Sequence, residues 1–117
     1  MKISLQKMLP FLGEEDLAAL LEQVMNAENR TYFGVSLAEL LPFLSGDDVE
    51  RLFYEELKNG RDVSIFCPFL PDRVYRDIVK QVKEGSLDFD LDAIYPFLPD
   101  TELHELFRFV LENEDKN

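Results

Sequence analysis

The stretch Ser36-Leu37-Ala38-Glu39-Leu40-Leu41-Pro42-Phe43-Leu44-Ser45-Gly46-Asp47-Asp48-Val49 decides the fold of this chain, because its plan recurs. The tripeptide at its centre also stands at Pro10-Phe11-Leu12, Pro68-Phe69-Leu70 and Pro96-Phe97-Leu98, so that successive copies lie 32, 26 and 28 residues apart. With each proline as origin, the residue six places before it is Ser4, Ser36, Asp62 or Asp90. All four side chains carry an oxygen that can accept a hydrogen bond from a free amide, the requirement of a helix N-cap. Five places before the proline come Leu5, Leu37, Val63 and Leu91, and two places before it Met8, Leu40, Phe66 and Ile94. A short helix is therefore predicted in each copy, kinked or ended by the proline, which lacks an N–H and disfavours helical geometry in its predecessor.

Beyond the tripeptide the copies stay in step. Leu17, Val49, Tyr75 and Leu103 stand seven places on, Leu20, Leu52, Ile78 and Leu106 ten places on, and Leu21, Phe53, Val79 and Phe107 eleven places on. Val24, Val82 and Val110 follow at fourteen, where the second copy has Glu56. Steps of three, four and seven trace one face of an α-helix. The helix starts are acidic, as in Glu14-Glu15-Asp16 and Asp47-Asp48, which complements the positive end of the helix dipole. Lys58-Asn59-Gly60 and Lys83-Glu84-Gly85 supply a lysine in the last turn and a glycine at or near its end.

These patterns predict one all-α domain over residues 1–117, built of four tandem helix-pair repeats at about 1–34, 35–60, 61–85 and 86–117. Each repeat is a short helix, a Pro-Phe-Leu corner and a longer helix, stacked as a short α-solenoid or coiled into a compact helical bundle. Phe11, Phe43, Phe69 and Phe97 are expected in the core, packing one unit on the next. The connector 26–34 is the longest, and its Tyr32-Phe33 pair is expected to plug the gap it spans or to form a contact loop. In architecture alone the chain resembles helical-repeat proteins of the HEAT or tetratricopeptide kind, although the Pro-Phe-Leu corner is a signature of neither.

The net charge of −12 opposes direct binding to nucleic-acid phosphates. The four segments carry −2, −4, +1 and −7, which makes the third the electropositive exception. Its Arg73, Arg76, Lys80 and Lys83 lie along one side of the long helix, either as a solvated face with i,i+4 pairs such as Arg73 with Asp77, or as a docking ridge for an acidic partner. Tyr54 and Phe109 fall outside the apolar stripe and are the two aromatic candidates for partner contact. No apolar run approaches a membrane span, and a lone cysteine fits a reducing cytoplasm.

Residues that look chemical have simpler readings. Asp88, Asp90 and Asp92 alternate as in a calcium loop, but the sixth and twelfth positions hold Ala93 and Pro99 in place of glycine and glutamate. Cys67 substitutes for a hydrophobe, and His104 occupies a surface register. No catalytic residue, metal ligand or cofactor is expected. The leading expectation is a non-enzymatic protein-interaction module, an adaptor or regulator acting on another protein, with no membrane or nucleic-acid partner and with self-association open. The alternative is an acidic regulator that masks a basic or nucleic-acid-binding surface of its partner.

Overall fold

The computed structural model describes residues 3–114. Of the described residues 74% are helical, 3-10 turns included, and among them is one small two-stranded hairpin. In order, the elements are α1 (Leu5–Met8), α2 (Glu14–Asn26), β1 (Thr31–Tyr32), β2 (Val35–Ser36), α3 (Leu37–Leu40), α4 (Gly46–Lys58), α5 (Asp72–Glu84) and α6 (Asp100–Glu114), joined by short 3-10 segments.

Three of the four expected cap residues, Ser4, Ser36 and Asp90, stand at the N-cap, whereas Asp62 lies one residue before it, Val63 holding the cap position. Ser4 and Ser36 each accept from the amide three residues on, at 3.4 and 3.3 Å, and open the α-turns α1 and α3. Asp62 and Asp90 instead accept from the amide two residues on, each at 3.0 Å. That shorter reach is the Asx-turn geometry open to aspartate, and the segments that follow, Ser64–Phe69 and Leu91–Ala93, are 3-10 throughout.

The proline tightens the chain and does not break it. Leu9 (φ −49°, ψ −48°) and Leu41 (φ −51°, ψ −43°) keep helical geometry directly before a proline. Pro10, Pro42 and Pro96 each sit second in a 3-10 turn, where the missing N–H would have had no partner, whereas Pro68 lies inside the longer segment Ser64–Phe69. The leucine amide closes the turn onto the carbonyl preceding the proline, at 3.3 Å for Leu12 to Leu9 and 3.2 Å for Leu44 to Leu41.

This turn corrects the expected placement of the phenylalanines. In a 3-10 helix residues i and i+3 eclipse, so the residue before the proline and the closing leucine share one side. In the first three corners, Leu9, Leu41 and Cys67 are buried there with Leu70, while Leu12 and Leu44 pack partly buried beside them. The phenylalanine between them points away. Phe11 is 87% exposed, and Phe43, Phe69 and Phe97 are 37–40% exposed.

The core runs the length of the molecule along the inner faces of the long helices, with Leu20, Val24, Leu52, Phe53, Ile78 and Val79 among its buried members. Phe53 is fully buried and meets Phe66 and Phe89 edge-on at 6.3 Å. The molecule is elongated, 64 × 26 × 19 Å with a radius of gyration of 17.3 Å, against about 13 Å for a compact chain of this length.

An all-α fold was expected; the hairpin is the departure. Thr31 pairs with Ser36 and Tyr32 with Val35, around a tight turn at Phe33 (φ 47°) and Gly34 (φ 82°). Two successive positive φ values suit the right-handed twist of a two-residue hairpin, and Gly34 takes its share without strain. Tyr32 packs partly buried against the core and carries Phe33 edge-on at 4.8 Å, with Phe33 itself exposed at the tip.

Candidate interaction surface

The basic residues of α5 are drawn into contacts with its two neighbours. Arg73 reaches back to α4, bonding Asp47 at 2.7 Å and Glu50 at 2.9 Å, and does not form its ion pair with Asp77. Arg76 faces Glu102 of α6 at 3.7 Å. The Lys83 ammonium stands over the Phe109 ring, 5.5 Å from its centre, within cation–π range. Lys80 is exposed. Three of the four side chains of the ridge thus link α5 to the helices flanking it.

The two off-stripe aromatics lie at the same seams. Tyr54 is half-buried on α4 and donates its hydroxyl to the Asp77 carboxylate on α5 at 2.5 Å. Burial, with the Asp77 hydrogen bond and charge behind it, drives the phenol well above its ordinary pKa. Asp77 also accepts from Gln81 at 2.8 Å. Phe109 is half-buried under Lys83.

The charged centre that sequence reasoning missed is Glu56, 4% exposed and the single buried charged residue among those described. Burial opposes its ionisation, but hydrogen bonds and charge from Arg30 and Arg61 outweigh that and hold its pKa below the carboxylate range. Arg30 bonds one carboxylate oxygen at 2.5 Å and Arg61 the other at 3.1 Å. The backbone aims both arginines. Gly60 (φ 72°) ends α4 in a Schellman turn, with the Arg61 amide on the Glu56 carbonyl at 3.0 Å. Asn29 and Arg30 both adopt left-handed φ, 61° and 55°. The available signal was the lone glutamate at a stripe position that is valine in the other three copies.

The four corner phenylalanines stay partly or largely open to solvent. Phe43 lies beside Glu14, Leu17 and Ala18 of the preceding long helix, and with them lines a shallow cleft of about 180 Å³. Every exposed corner phenylalanine is followed within six residues by one or more acidic side chains opening the next helix: Glu14 and Glu15, Asp47 and Asp48, Asp72, Asp100 and Glu102.

The remaining candidates have structural roles. Cys67 is buried, its thiol 3.7 Å from the Val63 carbonyl, and burial followed by the charge of Asp62 raises its pKa, which disfavours thiolate. The Cys67 carbonyl accepts from the buried Tyr75 hydroxyl. Asp90 spends a carboxylate oxygen on the Asp92 amide, and among the described residues no group of three or more His, Cys, Asp or Glu is arranged to hold a metal. His104 lies exposed on α6. No described helix is long and apolar enough to cross a membrane.

No family model, curated protein or solved structure matches this chain.

Proposed function

We propose that the chain is a non-enzymatic protein-interaction module of four tandem helix-pair units. It would bind another protein along an edge that the exposed corner phenylalanines of successive units would form. One observation carries this reading: four phenylalanines at the same internal register are all at least 37% exposed, although nothing in the corner turn requires an aromatic there. Exposed aromatics in clefts are the kind of anchor that dominates interface energy, and the acidic helix starts beside them favour a basic, partly apolar segment. A folded protein in a reducing cytoplasm is the setting proposed, in keeping with the buried lone thiol. Arg73, Arg76, Lys83, Tyr54 and Phe109 serve this module first as seams that hold its helices in line, and Lys80 is the member of the ridge most available to a partner.

The test is affinity capture from the native cell with the parent chain and with a Phe43→Ser, Phe69→Ser double variant, whose helical circular dichroism is checked first. A protein held by the parent and lost from the variant supports the edge. Equal capture by both, or none by either, overturns it.

A second reading, an acidic regulator covering a basic or nucleic-acid-binding surface, is favoured by the exposed Glu105 and Glu112 of α6 in a segment of charge −7. It predicts capture that collapses with added salt and with Glu105→Lys and Glu112→Lys together. Capture indifferent to both changes would sink it.

A further inference from the structure

Positions that match by register have opposite exposures at the two ends of the molecule. Two places before the proline, Leu40, Phe66 and Ile94 are at most 1% exposed, whereas Met8 is 40% exposed. Eleven places after it, Leu21, Phe53 and Val79 are buried, whereas Phe107 is 58% exposed. Leu103 and Val110 are also open, at stripe positions buried elsewhere in Leu17, Val49, Tyr75 and Val24. One end therefore presents the face of a short helix and corner, and the other presents the stripe of a long helix. Inside the molecule those two faces meet: α2 packs on α3, and α4 on the segment Ser64–Phe69.

We propose that copies of this chain associate head to tail, the α1 corner of one copy seated on the α6 stripe of the next as α3 sits on α2 and the segment Ser64–Phe69 on α4. The occupant is specified by register and by charge. Phe43 sits against Glu14, Leu17 and Ala18, and the register equivalents of those three on α6 are Asp100, Leu103 and His104. Phe11 of an incoming copy would again find a carboxylate and a leucine there, with His104 in place of Ala18, and Met8 would meet Phe107 and Val110 as α3 meets α2. Each face already contains a hollow. That at the first end is about 510 Å³, lined by Ile3, Lys7, Met8 and Phe11. That at the other is about 220 Å³, lined by Tyr95, Leu103, Phe107 and Val110.

Charge favours the same match. Residues 1–13 contain Lys2 and Lys7 and no carboxylate, whereas α6 carries Asp100, Glu102, Glu105 and Glu112 against the single base Arg108. The contact joins unlike faces, so it does not close on itself as a two-fold dimer does; it continues as a chain or a ring. The inference rests on the tandem-unit reading above but not on the corner edge as a binding site for other proteins.

Two variants decide it by sedimentation velocity across a concentration series, with helical circular dichroism confirming that each is folded. Met8→Glu blocks the first face, and Phe107→Lys blocks the second. The parent should sediment faster as concentration rises and pass beyond a dimer. Each variant alone should remain monomeric, and an equimolar mixture should form a one-to-one dimer that grows no further, since one intact face remains on each. A parent that stays monomeric overturns the proposal. So does self-association by Met8→Glu alone, which would mean that α6 pairs with α6, and so does a mixture that stays monomeric. Partner capture through Phe43 and Phe69 is measured separately, so a monomeric parent that still captures its partner refutes this inference alone.

Discussion

The Tyr54 hydroxyl donates to the Asp77 carboxylate across the seam between α4 and α5, and Arg73 bridges the same seam to Asp47 and Glu50. Two residues that look like surface features in the sequence are the polar fastening between consecutive long helices.

Tyr54→Phe should lower stability by about 1.5 kcal/mol, the low end for a hydrogen bond to a charged group because the pair is only partly buried. Urea denaturation midpoints measure it. The same change should alter the alkaline limb. The Tyr54 pKa is raised in the fold, first by burial and then by Asp77, so its contribution is complete below the ordinary phenol value of about 10. It is lost as pH rises above that value, because the unfolded chain gives up the proton first. Tyr75, pushed up to about 12 chiefly by burial, acts in the same direction. The parent should therefore lose stability above the phenol range more steeply than Tyr54→Phe, and equal slopes would contradict the seam.

Glu56 contributes at the acid end. Its pKa is lowered in the fold, so its stabilisation is present above the free carboxylate value of about 4.3 and is lost as pH falls through the lower folded value. Glu56→Val, which restores the residue of the other three copies, should still destabilise, by about 2 kcal/mol. That is less than the roughly 3–5 kcal/mol of a fully buried broken pair, because Arg30 and Arg61 are both partly exposed. Adding Arg30→Gly, which relieves a left-handed backbone at φ 55°, should recover about 1 kcal/mol. Thermal melts of the single and double variants check the order.

The corner turn predicts an inverted ranking of its own residues. Leu70→Ala, at a buried position, should cost about 2–4 kcal/mol. Phe11→Ala, at an exposed one, should cost under about 0.5 kcal/mol. Chemical denaturation of the two variants would refute the outward phenylalanine if their costs were reversed.

At the hairpin tip, Phe33→Asn should stabilise by about 0.5–1 kcal/mol. Asparagine tolerates φ 47° better than phenylalanine and makes the Asn-Gly pair favoured in such turns. The gain is reduced by losing the edge-on contact with Tyr32. A lower melting temperature would show that this contact outweighs the strain.

Helix positions were readable because the caps, the apolar steps and the terminal glycines at Gly60 and Gly85 are local signals that agree with one another. The direction of the corner phenylalanines was not. Whether a Pro-Phe-Leu segment turns its middle residue in or out depends on its being 3-10, where Leu9 and Leu12 eclipse, and composition does not reveal that pitch. The hairpin was hidden because β1 and β2 are two residues each, too short for any alternation. The candidate contact residues Arg73, Arg76, Lys83, Tyr54 and Phe109 instead meet neighbouring helices. Their partners lie 23 to 26 residues away in the sequence, and such pairings come from the stacking of helices.

The placement of Cys67 has a practical consequence. It is the chain's only thiol, buried in the third corner beneath the Tyr75 hydroxyl and remote from both ends. A thiol reagent can reach it only when the middle of the molecule opens, whereas fraying at α1 or α6 leaves it untouched. The rate of labelling is thus a clock for central opening alone, read on the unmodified protein without an added probe. Compared with the loss of helical signal, it would tell whether an elongated protein of this kind melts from its ends or all at once.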